Sequence, residues 1–214
     1  MTVQIFLSDF GEFSFITEHL LAGAPYTSEP HGVYKTTAHG HDLEIIHSGV
    51  TVLQSGVTVQ TTAKKGAVAL LLGSAGGAQL GVYHVTRSYY DCDFRPFRPR
   101  GEGETMPFYV EGYGNVPGLA GFDAAESITI TKFQSEIPAT PDIAVQGGLP
   151  LLYDVEDYGF LYSVSRLPED KKPAAAAVLR TVTDAGDAGD FMANLKVKMI
   201  ELYERAIAEI VKAL

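Results

Sequence analysis

The apolar run over residues 67–72, which ends at Gly73, constrains the fold of this chain more than any other segment. A short, continuous apolar run is typical of a strand that is buried on both faces of a sheet. Such a strand requires covering layers on both sides. Other strands are predicted at residues 3–7, 42–47, 49–59, 127–131, 149–153 and 174–182.

Helices are predicted over residues 11–22, 154–166 and 191–214. In the last of these, Leu195, Met199 and Leu202 recur at spacings of three and four, which is the period of one helix face. Strands mixed with helices, one strand being buried on both faces, predict an α/β fold. We therefore expect a single domain over residues 1–214, a three-layer arrangement in which helices flank a mixed central β-sheet.

The charge balance excludes several classes of partner. The chain has 16 Lys and Arg against 26 Asp and Glu, a net charge of −10. This argues against a nucleic-acid partner, which selects basic patches, and against an anionic membrane surface.

The apolar runs are far shorter than the roughly 20 residues of a membrane span. A signal peptide begins with a basic stretch, and the first 20 residues contain no Lys or Arg. We therefore expect a cytoplasmic location.

Cysteine and histidine give no sign of a metal or a cofactor. Cys92 is the only cysteine, which excludes an intramolecular disulfide and a multi-thiolate zinc site. His39 and His41 flank a glycine, a spacing that favours a surface loop over a metal site. We therefore expect neither metal nor cofactor.

Three carboxylates follow predicted strands. Glu12 comes after residues 3–7, Glu156 after residues 149–153, and Asp184 after residues 174–182. A glycine-rich turn is predicted at residues 73–77, after the buried strand. Ligands of open α/β sheets bind at the carboxyl ends of the strands, and glycines let backbone N–H groups approach them closely. Taken singly, each acid also fits a first-turn or capping position of a helix, and the glycines fit a plain turn.

These features together resemble the nucleoside phosphorylase/nucleosidase superfamily, and most closely its 5′-methylthioadenosine/S-adenosylhomocysteine nucleosidase-like branch. The resemblance extends over nearly the whole chain. It rests on the opening strand that leads to Glu12, on Leu72-Gly73-Ser74-Ala75-Gly76-Gly77 with Tyr90-Asp91-Cys92-Asp93-Phe94, on Asp154-Val155-Glu156, and on Arg180-Thr181-Val182-Thr183-Asp184.

The family cleaves the N-glycosidic bond of purine nucleosides, and the resemblance implies roles for matching residues. Asp184 would be the general acid at the base, Glu12 would activate water, and Glu156 would hold the ribose hydroxyls. The resemblance also implies a homodimer. The further substrate-binding residues that it implies are Val155, Ser74, Ala75, Gly76, Phe133, Gln134 and Thr183.

The nucleophile and the exact substrate stay open at this point. Phosphorylases of the family hold phosphate with arginines, one of them two residues before Gly73, where this chain has Leu71. A phosphate dianion without cations would be costly to desolvate, whereas water needs only a base, so hydrolysis is favoured. Val155 and the atypical loop over residues 96–109 depart from the family pattern. Phosphorolysis, or a nucleoside-binding protein with little turnover, are the alternatives.

Overall fold

The computed structural model describes residues 1–21, 32–77, 79–90, 109–130, 148–184 and 188–214. Within these ranges it contains nine strands and four α-helices. The strands are β1 (Thr2–Leu7), β2 (Val33–Ala38), β3 (His41–His47), β4 (Val68–Gly77), β5 (Val82–Tyr90), β6 (Tyr109–Glu111), β7 (Asp123–Thr129), β8 (Leu151–Asp154) and β9 (Ala175–Asp184). The helices are α1 (Phe10–Leu21), α2 (Val52–Thr62), α3 (Asp157–Ser165) and α4 (Ala188–Glu209).

The strands form one mixed sheet that closes on itself. Strand β1 pairs in parallel with both β3 and β4, and β4 pairs in parallel with β9. Strands β9, β5, β7 and β8 continue the pairing, and β8 returns to the far end of β4. Because β1, β4 and β9 are parallel, their carboxyl ends lie at the same edge of the sheet.

Helices cover both faces, as predicted. Val68, Leu70 and Leu72 of β4 pack into one apolar core with α1 and α4, while Ala69 and Leu71 pack into a second core with α2 and α3. Successive side chains of a strand point to opposite faces, so a strand covered on both sides must be apolar throughout. The predicted α/β class and flanked mixed sheet are confirmed.

The strand predicted over residues 49–59 is wrong, because helix α2 occupies most of it. Its buried residues are Ser55, Gly56, Thr58 and Val59, which follow the helical period, and Leu53 is exposed. The Thr51 hydroxyl caps the helix by accepting a hydrogen bond from the Gln54 N–H at 3.4 Å. The alternation of valine with polar residues is typical of a strand. Here the N-terminal cap and the buried face of the helix stabilise a helix instead.

The glycine-rich segment at residues 73–77 is not a turn, because β4 runs through it to Gly77. Its partners explain the glycines. Gly73 and Ser74 pair with β9, and Gly76 and Gly77 also pair with β8 on the other side. A β-carbon on Gly77 would lie 3.1 Å from a methyl group of Leu152 and 3.2 Å from one of Val182, so a larger residue would crowd these two side chains.

Candidate active site

Glu12 is buried at the carboxyl edge of the sheet, in the first turn of α1. Its Oε1 accepts hydrogen bonds from the backbone N–H of Ser74 at 2.8 Å and from the Ser74 hydroxyl at 2.6 Å. Burial raises the pKa of Glu12, while the bonds from Ser74 and the charge of Arg180 lower it in part. The structure thus brings together two of the predicted site residues, from α1 and β4.

The turn between β8 and α3 directs two successive carboxylates into the same region. Asp154 ends β8, and its Oδ1 accepts hydrogen bonds from the N–H groups of Glu156 at 2.8 Å and Asp157 at 2.7 Å. Thr129 donates its hydroxyl proton to the same oxygen at 3.0 Å. Helix α3 therefore begins three residues later than predicted, and Asp154 fixes the backbone that carries Glu156.

A buried arginine on β9 joins the two halves of the site. Nη2 of Arg180 donates to Oε2 of Glu156 at 2.8 Å, and Nη1 donates to the backbone carbonyl of Ser74 at 3.0 Å. Nε and Nη2 both donate to Oδ1 of Asp157. Arg180 is the residue that links Ser74, and through it Glu12, to Glu156.

The roles of Arg180 and Asp157 were not predicted from the sequence. A signal was present in both cases. Arg180 interrupts the apolar run of the strand predicted over residues 174–182, and an arginine in such a strand needs carboxylate partners if it is buried. Asp157 follows Glu156 directly, and an acid in the first turn of a helix also fits the helix dipole, which masks any other role.

The pKa values of two buried acids of the site, Glu156 and Asp157, are raised. Burial raises the pKa of Glu156 to about 7; the Arg180 charge opposes this rise, and the Asp154 and Glu12 charges add to it. Burial likewise raises the pKa of Asp157 well above its ordinary value, against the opposing charge of Arg180. A single guanidinium lies among these buried acids, and it offsets only part of the rise that burial causes in the pKa values of Glu12, Glu156 and Asp157.

The remaining predicted residues fall into four groups. Gly76 pairs with Asp184 across the end of β9, and Ala75 is buried beside them in β4. Val155 is buried in a small apolar cluster with Tyr89, Ile128 and Ile130. Thr183 is buried and its carbonyl accepts a bond from Asn194 at 3.2 Å. The side chain of Asp184, and all of Phe133 and Gln134, lie outside what the structure describes.

The described part of the chain shows neither a metal-ligand cluster nor a membrane-spanning helix. Within it, no group of three or more His, Cys, Asp or Glu side chains is arranged to hold a metal ion. None of its helices is long and apolar enough to cross a membrane.

The likeness of this chain to known proteins lies in its fold. No protein-family model and no curated protein matches the chain. Solved structures do. The 5′-methylthioadenosine/S-adenosylhomocysteine nucleosidase of Helicobacter pylori is similar with a TM-score of 0.76 and 15% identity, over 100% of this chain and 99% of that one. The corresponding nucleosidase of Streptococcus pneumoniae gives 0.72 and 16%, with the same coverage.

A futalosine hydrolase has the same fold. The enzyme of Helicobacter pylori strain 26695 is similar with a TM-score of 0.70 and 13% identity, over 98% of each chain. The resemblance stated from the sequence therefore predicted the fold correctly, although no family model matches the chain and the identity to these structures is 13–16%. The chain therefore shares the fold of these nucleosidases and of the futalosine hydrolase.

Proposed function

We propose that this protein is a purine nucleosidase, an enzyme that hydrolyses the N-glycosidic bond of a nucleoside of the methylthioadenosine, adenosylhomocysteine or futalosine type. The observation that carries this proposal is the buried cluster of Glu12, Ser74, Glu156 and Arg180 at the carboxyl edge of a nucleosidase fold. Clustered carboxyls with raised pKa values in such a position are typical of acid–base catalysis.

In this proposal, Glu12 takes a proton from water as the water oxygen attacks the anomeric carbon of the ribose. The bond from that carbon to the purine nitrogen breaks, and its electron pair goes to the base. Asp184 gives its proton to N7 of the purine, so the base leaves neutral. This follows the general logic of glycoside hydrolysis, in which one carboxyl group serves the leaving group and another serves the water.

The proposed role of Glu12 has support from its surroundings. Two donors from Ser74 hold one oxygen of the carboxyl group, which fixes its direction. Burial raises its pKa toward the range in which a general base works best near neutral pH. Glu156 is proposed to hold the ribose hydroxyls. The pattern of the resemblance, Arg180-Thr181-Val182-Thr183-Asp184, carries the role of Asp184.

Water is the favoured nucleophile. Within the described ranges, Arg180 is the cation that contacts the site carboxylates, and its three nitrogens are already bonded to Asp157, Glu156 and Ser74. A phosphate dianion would need cationic donors that are free to turn toward it. We accordingly propose hydrolysis, and a place in purine metabolism. A homodimer and a cytoplasmic location stay predictions from the sequence.

The test is release of free base from methylthioadenosine, adenosylhomocysteine, inosine and futalosine, each with and without phosphate. Hydrolysis predicts release that is independent of phosphate. Release that requires phosphate would identify a phosphorylase, and tight binding without release would identify a nucleoside-binding protein. Either result would overturn the proposal.

The variant Asp184→Asn tests the proposed acid. Loss of one proton-transfer partner is expected to lower kcat by about 10²–10⁴-fold. Asp170→Asn, at an exposed aspartate, is the matched control and should keep wild-type turnover. Wild-type kcat in Asp184→Asn, with unchanged circular dichroism, would show that Asp184 is not the general acid.

A further inference from the structure

Asp157 binds Arg180 more extensively than Glu156 does. Its Oδ1 accepts hydrogen bonds from both Nε and Nη2, whereas Glu156 accepts one from Nη2. Both carboxylates are buried. Removing a carboxyl group from water costs free energy, and Asp157 directly follows the proposed ribose-binding Glu156. We therefore expect Asp157 to have a function in the site.

The contact between Asp157 and Arg180 fixes the orientation of the guanidinium group. A guanidinium group is planar, so fixing its Nε and Nη2 edge also fixes the direction of Nη1. In this structure Nη1 points to the carbonyl of Ser74, and the N–H and hydroxyl of Ser74 hold Glu12. Asp157 is thereby connected to both proposed functional glutamates without touching either through a hydrogen bond of its own.

The charges around Glu156 also involve Asp157. The charged groups that act on Glu156 are Arg180 on β9, Glu12 on α1 and Asp154 on its own segment, while Asp157 is connected to it through Arg180. Asp157 and Glu156 contact the same nitrogen, Nη2, and therefore share one positive charge. A carboxyl group that loses part of its cation to a neighbour stays protonated to a higher pH.

We propose that Asp157 is a positioning residue, which directs the Arg180 guanidinium toward Ser74 and Glu156 and divides its charge with Glu156. The inference rests on the proposed function, since it assigns Asp157 to the same site. Its effect is exerted through Arg180, and Asp157 itself touches no substrate.

The test follows Glu156 directly by a carboxyl-carbon NMR titration of the wild type and Asp157→Asn. In Asp157→Asn one acid fewer competes for Arg180, whose Nη2 still lies 3.7 Å from Oδ1 of Asp154, and the titration midpoint of Glu156 is expected to fall by about one pH unit. The acid limb of the pH profile of kcat/KM for the best nucleoside should move by the same amount. Asp123→Asn, an exposed aspartate on β7, is the control and should leave both unchanged.

The outcomes separate this inference from the proposed function. If Asp157→Asn lowers only the melting temperature and leaves the Glu156 midpoint in place, Asp157 is merely structural and the inference is overturned. If the wild type releases no base from any nucleoside, the proposed function fails, yet the NMR titration still decides the role of Asp157.

A measurement on the wild type alone removes the dependence on a variant that folds. The Nε–H signal of Arg180 is expected to shift with pH over the window in which Glu156 titrates, because Asp157 on Nε and Glu156 on Nη2 share the guanidinium charge. A pH-independent Nε–H signal would overturn the inference.

Discussion

Gly73 provides the space that the Arg180 guanidinium occupies. A β-carbon at this position would overlap with Nη1 and lie 3.5 Å from Oε2 of Glu12. Arg180 is fully buried, so its head group has no room to retreat without leaving its carboxylate partners. The absence of a single methyl group therefore determines whether the cluster of Glu12, Ser74, Glu156 and Arg180 can assemble.

Gly73→Ala is expected to displace the guanidinium and to leave buried carboxylates without their cation. Breaking a buried ion pair costs about 3–5 kcal/mol, which urea denaturation would show. The turnover of nucleoside should fall as well, because Ser74 and Glu156 lose their link. In the Arg180→Ala background the obstacle is gone, so the same glycine change should cost little more. Losses that simply add would contradict this explanation.

At the residue scale, the sequence could predict those site residues whose position follows from a strand end or a motif. Glu12, Ser74 and Glu156 were predicted in this way, and the structure brings them together through Arg180. The role of Arg180 was missed because pairing within the core depends on which strand lies opposite, and that is a property of the closed sheet. A lone arginine in a strand does not reveal which acids will reach it.

At the element scale, helices α2 and α3 pack against each other through two glycines. A β-carbon on Gly159 of α3 would overlap with the backbone of Val52, whereas one on Gly56 of α2 would lie 2.7 Å from the hydroxyl of Ser163. A hydroxyl can rotate away, but the backbone at the start of a helix cannot. The two positions therefore make a matched pair within one interface.

Gly159→Ala is expected to destabilise the protein by about 1–3 kcal/mol or more, because the two helices must move apart. The gain in helix propensity from Gly to Ala, about 1 kcal/mol, offsets only part of this. Gly56→Ala has the same gain and a smaller steric cost, so its melting temperature should stay near that of the wild type. Equal losses in both variants would show that helix contact is not the cause.

The fold was predictable where burial dominates the sequence pattern. Strand β4 is covered on both faces, and its apolar run could hardly be read otherwise. Helix α2 was mistaken for a strand because it carries polar buried residues and exposed apolar ones, as Ser55 and Leu53 show. Its identity depends on the cap at Thr51 and on contact with α3, which a periodicity argument does not include.

At the scale of the whole molecule, the buried acids link stability to pH. Burial raises the pKa of Glu156 from 4.5 to about 7, and raises those of Glu12 and Asp157 as well. The folded protein therefore binds more protons than the unfolded chain between pH 4.5 and about pH 7. Where the folded state binds more protons, stability decreases as pH rises.

We expect the free energy of unfolding to fall between pH 5 and pH 7, by about 1.4 kcal/mol per pH unit for each carboxyl group that stays protonated only in the folded state. Urea denaturation at intervals across this window measures it. Glu156→Gln removes the titrating group, and should flatten the slope by roughly that amount. Glu18→Gln, on the exposed side of α1, should leave the slope unchanged. A wild-type stability that rises steadily from pH 5 to pH 7 would show that these acids ionise as readily in the folded protein as in the unfolded chain.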